Sequence, residues 1–180
     1  MDEQYLPNLL LVAGVGRNSG KTTFICSIIE KFQSRKKIIA IKISPHVHAD
    51  KLSSTIFSEG SNYTIYKETD KDSEKDSSKF LKAGANTVFY IEADDDGVKD
   101  AWTTLLKHLD NDVILVCEGA WLRKIVKPGL FIHCNFHNTS EIKQSAQELI
   151  KLADLKAIGN FLELISGINF ENNSFIFRRI

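Results

Sequence analysis

The chain predicts an α/β domain with a mainly parallel sheet covered by helices, and three observations predict it. Apolar runs of strand length alternate with segments of helical periodicity. Those runs are almost wholly apolar, as strands buried on both faces must be. The first run stops at a glycine-rich turn that leads straight into a helical segment, which is the start of a strand–helix–strand unit.

The elements follow in order. NLLLVAG (8–14) reads as a buried strand that stops at glycine. GKTTFICSIIEKFQSRKK (20–37) reads as a helix, with Phe24, Ile25, Ile28, Ile29 and Phe32 recurring at helical spacing. KIIAIKIS (37–44) is a second strand ended by Pro45. The interval 46–78 is a long polar insertion, in which STIFSEGSNYTIYKET has the composition of a short hairpin and KETDKDSEKDSSK that of a solvated loop. A short helix at 77–84 ends at Gly84, and NTVFYIEA (86–93) is a third strand. DGVKDAWTTLLKHLD (96–110) is a helix that starts among acids, which suit its amino end. Strands at 112–119 and 129–136 and a helix at 139–154 complete the alternation, and the tail NFENNSFIFRRI reads as one more strand. The expectation is a single domain over residues 1–180.

Bulk properties narrow the function classes. The 23 basic residues balance the 23 acidic ones, for a formal net charge of +0. A nucleic-acid or membrane-surface binder usually carries an excess of basic charge, so neither class is expected. No apolar run is long enough to span a bilayer. MDEQYLPNLLLVAG has no basic residue before its apolar run, unlike a secretory signal, and a cytoplasmic location is expected. Cys26, Cys117 and Cys134 are isolated and odd in number, and read as small apolar residues.

The chemistry concentrates in AGVGRNSGKTTF (13–24). A phosphate-binding loop needs glycine, four residues, then Gly-Lys-Ser/Thr. Counting back from Gly20-Lys21-Thr22 puts Val15 at the first glycine position, with Gly14 and Gly16 on either side. Read from Gly14, five residues intervene. The loop still joins a strand to a helix, so its N–H groups and the helix dipole converge on one point. The expected nucleotide contacts are Gly16, Arg17, Asn18 and Ser19, followed by Gly20, Lys21, Thr22 and Thr23. Lys21 is the cation that reaches the terminal phosphates and stabilises charge during turnover; the Thr22 hydroxyl holds Mg²⁺. DVILVCEG ends in Glu118, a carboxylate at the carboxyl end of an apolar strand, and is expected on the metal side. The fold expected from the loop is a three-layer P-loop NTPase fold.

Four segments in order, RNSGKTT (17–23), IAIK (39–42), KDSSKFLKAGA (75–85) and VILVCEGAW (113–121), resemble the molybdopterin-guanine dinucleotide biosynthesis protein B (MobB) family. The likeness spans about residues 9–135. Lys75-Asp76-Ser77 followed by five residues and Ala83-Gly84-Ala85 matches that family's interval without a gap. The resemblance implies a small protein that binds GTP or ATP with Mg²⁺, hydrolyses it weakly, forms dimers and assists nucleotide attachment to molybdopterin. It places Asp76 and Ser77 at the nucleotide cleft. The chain departs from the family at Lys42-Ile43-Ser44-Pro45-His46-Val47-His48, where the family has Lys-His-Thr/Ser and a further histidine, and at Glu74 and Ala120-Trp121.

The five-residue interval also resembles that of the dethiobiotin synthetases, which implies an ATP-dependent ligase-like enzyme as an alternative. The second glycine that follows Glu-Gly-Ala in that family is absent. A nucleotide-binding adaptor without turnover is the alternative from another class. No base-reading Asn/Thr-Lys-x-Asp motif separates GTP from ATP. His46 and His48 flank Val47 and read as part of a polar loop, and His133 as a packed strand residue.

Overall fold

A computed structural model describes residues 3–45, 54–137, 144–159 and 161–179 of the chain. The elements are β1 (Gln4–Gly14), α1 (Lys21–Phe32), β2 (Ile38–Ser44), β3 (Ser54–Glu59), β4 (Tyr63–Glu68), α2 (Asp76–Lys82), β5 (Thr87–Ala93) and α3 (Gly97–Leu106). They continue with β6 (Ile114–Glu118), a short 3₁₀ helix (Ala120–Lys124), β7 (Val126–Asn135), α4 (Gln144–Leu152), β8 (Leu155–Ile158), α5 (Leu162–Gly167), β9 (Ile168–Glu171) and β10 (Ser174–Phe177).

Eight strands form one sheet in the order β3-β4-β5-β2-β6-β1-β7-β8. The run from β5 to β8 is parallel throughout. The β3–β4 hairpin adds to the β5 edge in antiparallel fashion. The chain leaves β1 through α1, enters β2 two places away, and later drops β6 into the gap. Loops diverge at that reversal, and in such sheets a crevice opens beyond the strand carboxyl ends.

Alternate residues of each strand feed two cores, one on each face. Leu10, Val12, Ile38, Ala40, Ile114 and Val116 pack with Phe24, Ile28 and Phe32 of α1, Phe80 of α2, Phe161 and Ile165 at α5, and Phe175 of β10. Leu9, Leu11, Ile39, Ile41, Leu115 and Cys117 pack on the other face with Val98, Ala101, Trp102 and Leu105 of α3, Leu122, and Leu149 of α4. The expected α/β architecture, mainly parallel and flanked by helices on both faces, is therefore what the chain forms.

Element ends differ from expectation for physical reasons. Helix α1 stops at Phe32, where its apolar stripe ends, leaving Gln33 to Arg35 as an exposed turn. Strand β1 starts earlier, at Gln4, and its register against β7 shifts between Leu6 and Leu10. Pro7 lies in that shift, and its carbonyl oxygen stands 2.0 Å from where a Cβ on Gly129 would be. The polar insertion does form the hairpin, β3–β4. The tail forms two strands, since Asn172 and Asn173 both adopt positive φ (50° and 58°) and turn the chain back on itself. Strand β8, helix α5 and the 3₁₀ helix span four to six residues each. Segments so short carry no readable period. His46 and His48, and the start of the helix expected from 139, lie outside the described residues. Among the described residues no helix is long and apolar enough to cross a membrane.

Candidate functional site

The turn after β1 is shaped by two glycines. A Cβ on Gly14 would meet Ser19 Oγ at 2.3 Å and the Cys134 carbonyl oxygen at 2.8 Å, so only glycine fits. Gly20 has φ +88°, the left-handed region that L-residues avoid. Gly16, in contrast, has open space where its Cβ would be. The loop is tied to the end of β7 by Val15 N–H donating to the Cys134 carbonyl (3.2 Å) and Phe136 N–H donating to the Ser19 carbonyl (3.2 Å). The Ser19 hydroxyl donates to the Gly16 carbonyl at 3.0 Å. No side chain caps α1. The first-turn N–H groups of α1 have no acceptor within the helix and face the space above it, where the helix dipole favours an anion.

Two strands and two helices then bring charge to that turn. In the parallel register Glu118 of β6 lies opposite Val12 of β1 and Lys42 of β2. Val12, Ala40 and Val116 belong to the α1-side core, so the period of two sends Lys42 and Glu118 to that same face. There Thr22 Oγ1 donates to Glu118 Oε2 at 3.2 Å. The Lys42 ammonium binds Glu118 Oε1 and donates to Asp76 Oδ2 at 2.9 Å. Asp76 opens α2, which packs on the same face, and Lys79 stands 3.8 Å from its carboxylate. Lys21 folds back over its own loop, donating to the Gly16 carbonyl at 2.6 Å and to Ser19 Oγ at 3.0 Å, with Glu118 Oε1 at 3.9 Å.

Burial and charge act differently on these groups. Burial lowers the Lys21 pKa, and the neighbouring Lys42 adds to that against the pull of Glu118. At Lys42 burial works in the same sense, but the Glu118 and Asp76 carboxylates outweigh it and hold the ammonium above its ordinary value. Burial would raise Asp76; the charge and hydrogen bond of Lys42 reverse that and hold the carboxyl below the usual range. Cys134, behind the loop, is pushed up to about 12 by burial.

Around these groups lies a cleft of about 1060 Å³. Gly16, Arg17, Asn18, Ser19, Gly20, Lys21, Thr22, Thr23, Asp76 and Glu118 all line it. Ser77, also expected there, is turned away and buried, its hydroxyl donating to Glu68 at 2.7 Å. One end of the cleft is walled by Phe136 and Phe161, edge-to-face at 6.0 Å, and the other by Ile43, Val98 and Trp121. Sequence reasoning did not give Lys42 a role beyond ending its strand. Its signal was a single charge, in phase with Ile38 and Ala40, inside an otherwise apolar strand.

The oxygen donors Thr22, Asp76 and Glu118 suit a hard cation such as Mg²⁺. No group of three or more His, Cys, Asp or Glu side chains is gathered among the described residues. That donor set fits Mg²⁺ held by one or two carboxylates with phosphate oxygens and water, rather than a cage made by protein alone. Comparison with protein-family models, with curated proteins and with solved structures found no match to this chain.

Proposed function

We propose that the chain is a P-loop protein that binds a purine nucleoside triphosphate with Mg²⁺ and turns it over slowly or only with a partner. The observation that carries this reading is the hydrogen bond from Thr22 to Glu118, with Lys21 beside them at the head of α1. Residues 96 positions apart meet at the point where loop amides and a helix dipole favour phosphate. The loop amides and Lys21 would bind the phosphates, and Thr22 and Glu118 would hold the metal. Bound Mg²⁺ supplies charge neutralisation of the phosphate oxygens.

Slow turnover is favoured by the engagement of both carboxylates. Lys42 holds Glu118 and Asp76 together without ligand, and a bound metal would occupy the same carboxylates, so neither would stand free to accept a proton from water. The same engagement favours, as a second reading, a nucleotide-binding adaptor without turnover. Phosphate release measured with and without a candidate partner separates the two, since rapid unassisted release would end the adaptor reading. A MobB-type role, assisting nucleotide attachment to molybdopterin in the cytoplasm as a homodimer, rests on the four quoted segments alone.

The test is calorimetric titration with Mg·GTP and with Mg·ATP of the wild type and Lys21→Ala. Loss of a charge-assisted contact to phosphate is expected to weaken binding by roughly tenfold or more. If neither nucleotide binds either protein at millimolar concentration, the proposal fails.

A further inference from the structure

We propose that the Lys42 ammonium is a built-in counter-ion that occupies the cation place between Glu118 and Asp76 until a divalent metal displaces it towards the incoming phosphates. This rests on the nucleotide reading above and adds to it a device that couples metal binding to nucleotide binding.

The geometry carries the argument. Lys42 bridges two carboxylates that come from β6 and from α2, and Thr22 donates to one of them. These are the oxygen donors that a Mg²⁺ ion would need, and the ammonium already stands among them. Charge settles whether both cations fit. The paired groups are Lys21, Lys42 and Lys79 against Asp76 and Glu118, three positive to two negative, so the carboxylates are already more than neutralised. A divalent ion between the same carboxylates meets like charge at contact distance on one side, and Lys79 at 3.8 Å from Asp76 adds more. The Glu118 side chain is only 4% exposed, so water screens this repulsion poorly. Metal and Lys42 therefore exclude each other.

Where Lys42 goes follows from the fold. Its backbone is fixed by pairing on both sides, to β5 and β6. Only its four-carbon stem is free to move, and the cleft lies in front of it. Lys21 also approaches Glu118 Oε1, at 3.9 Å, so the two ammonium groups stand beside the same carboxylate oxygen, next to the loop amides that favour an anion. An anion in the loop gives the displaced Lys42 a new partner. Metal without nucleotide offers none, and so binds poorly. Metal and nucleotide thus enter together.

Titration with Mn²⁺ alone, read by the loss of the free-ion EPR signal, tests this without any turnover. The wild type is expected to bind Mn²⁺ weakly. Lys42→Met is expected to bind it roughly tenfold tighter or more, since the competing charge is gone. Lys42→Arg keeps the charge and is expected to behave as wild type. Lys42→Gln keeps a neutral donor on a side chain one bond shorter and is expected to show the same gain, which covers the case in which the Met variant fails to fold. Adding Asp76→Asn to the tighter variant is expected to return binding towards the wild-type level. Equal Mn²⁺ affinity in wild type and folded neutral variants overturns the proposal, as does an equal gain in Lys42→Arg. The two readings fail separately. Nucleotide binding by the wild type with no Mn²⁺ gain ends the counter-ion role alone, whereas a Mn²⁺ gain with no nucleotide binding keeps that role and ends the nucleotide reading.

Discussion

Glu118 accepts from Thr22 of α1 and Lys42 of β2, and its side chain is 4% exposed. A buried carboxylate of this kind is tolerated only because its partners are fixed, and removing it strands the Lys42 charge on Asp76 alone. Glu118→Ala is expected to lower stability by about 2–4 kcal/mol in urea denaturation, somewhat under the full cost of breaking a wholly buried pair because Asp76 remains. A change under 0.5 kcal/mol would show that the network contributes nothing. The cysteines give a prediction of opposite character. Burial pushes Cys26 up to about 11 and Cys134 up to about 12. A raised thiol pKa means less thiolate below it, about one part in 10³ to 10⁴ at pH 8. Alkylation of the native protein at pH 8 is expected to be slow, with Cys26 first because it is partly exposed; fast labelling of Cys134 would contradict the burial. Among the site residues, the loop and Thr22 were legible from the glycine motif and Glu118 from its place at a strand end, whereas Asp76 was named only through the resemblance of the Lys75-Asp76-Ser77 interval. The place of Ser77 was not legible, since the sense of rotation of α2 sends it to Glu68, and that of Lys42 was not, since only register puts it beside Glu118.

The glycine loop is the element on which sequence and structure speak most directly to each other. The motif position holds Val15, and the glycine that packing requires is the one before it, Gly14. Gly14→Ala is expected to cost about 2–3 kcal/mol, because the Cys134 carbonyl is backbone and cannot step aside cheaply. Gly16→Ala is expected to stay within about 0.5 kcal/mol, its Cβ meeting nothing. Equal costs at the two positions, measured by thermal or urea unfolding, would contradict this account of the longer loop. A second element depends on one side chain: Lys31 of α1 donates to the carbonyls of Ile165, Ser166 and Ile168 at the end of α5. Lys31→Met is expected to cost about 1–2 kcal/mol by removing the charged donor that joins these carbonyls, of which Ile165's keeps the Ile168 N–H. Helix α5 has only six residues and no period of its own, which is why it was silent in the sequence and why it depends on that lysine.

At the scale of the molecule, the parallel core was legible because strands buried on both faces must be apolar throughout. The strand order was not, because no local pattern says that β6 enters between β2 and β1. That insertion creates the site, since it places Glu118 between the loop of β1 and the lysine of β2. The same order ranks local stability. Amides of β1 and β6, central and buried, are expected to exchange slowest with deuterium, and those of the edge strands β3 and β8 fastest. Protection of β3 equal to that of β6 would contradict the topology.

Amide chemical-shift mapping tests the proposal that the loop between β1 and α1 receives the phosphates of a nucleotide. Mg·GTP and Mg·ATP are each titrated into ¹⁵N-labelled protein. The largest shifts are expected at the amides of Gly16 to Thr23, with smaller ones at Lys42, Asp76 and Glu118. No shift at millimolar nucleotide, or shifts confined to a surface away from this cleft, would contradict it.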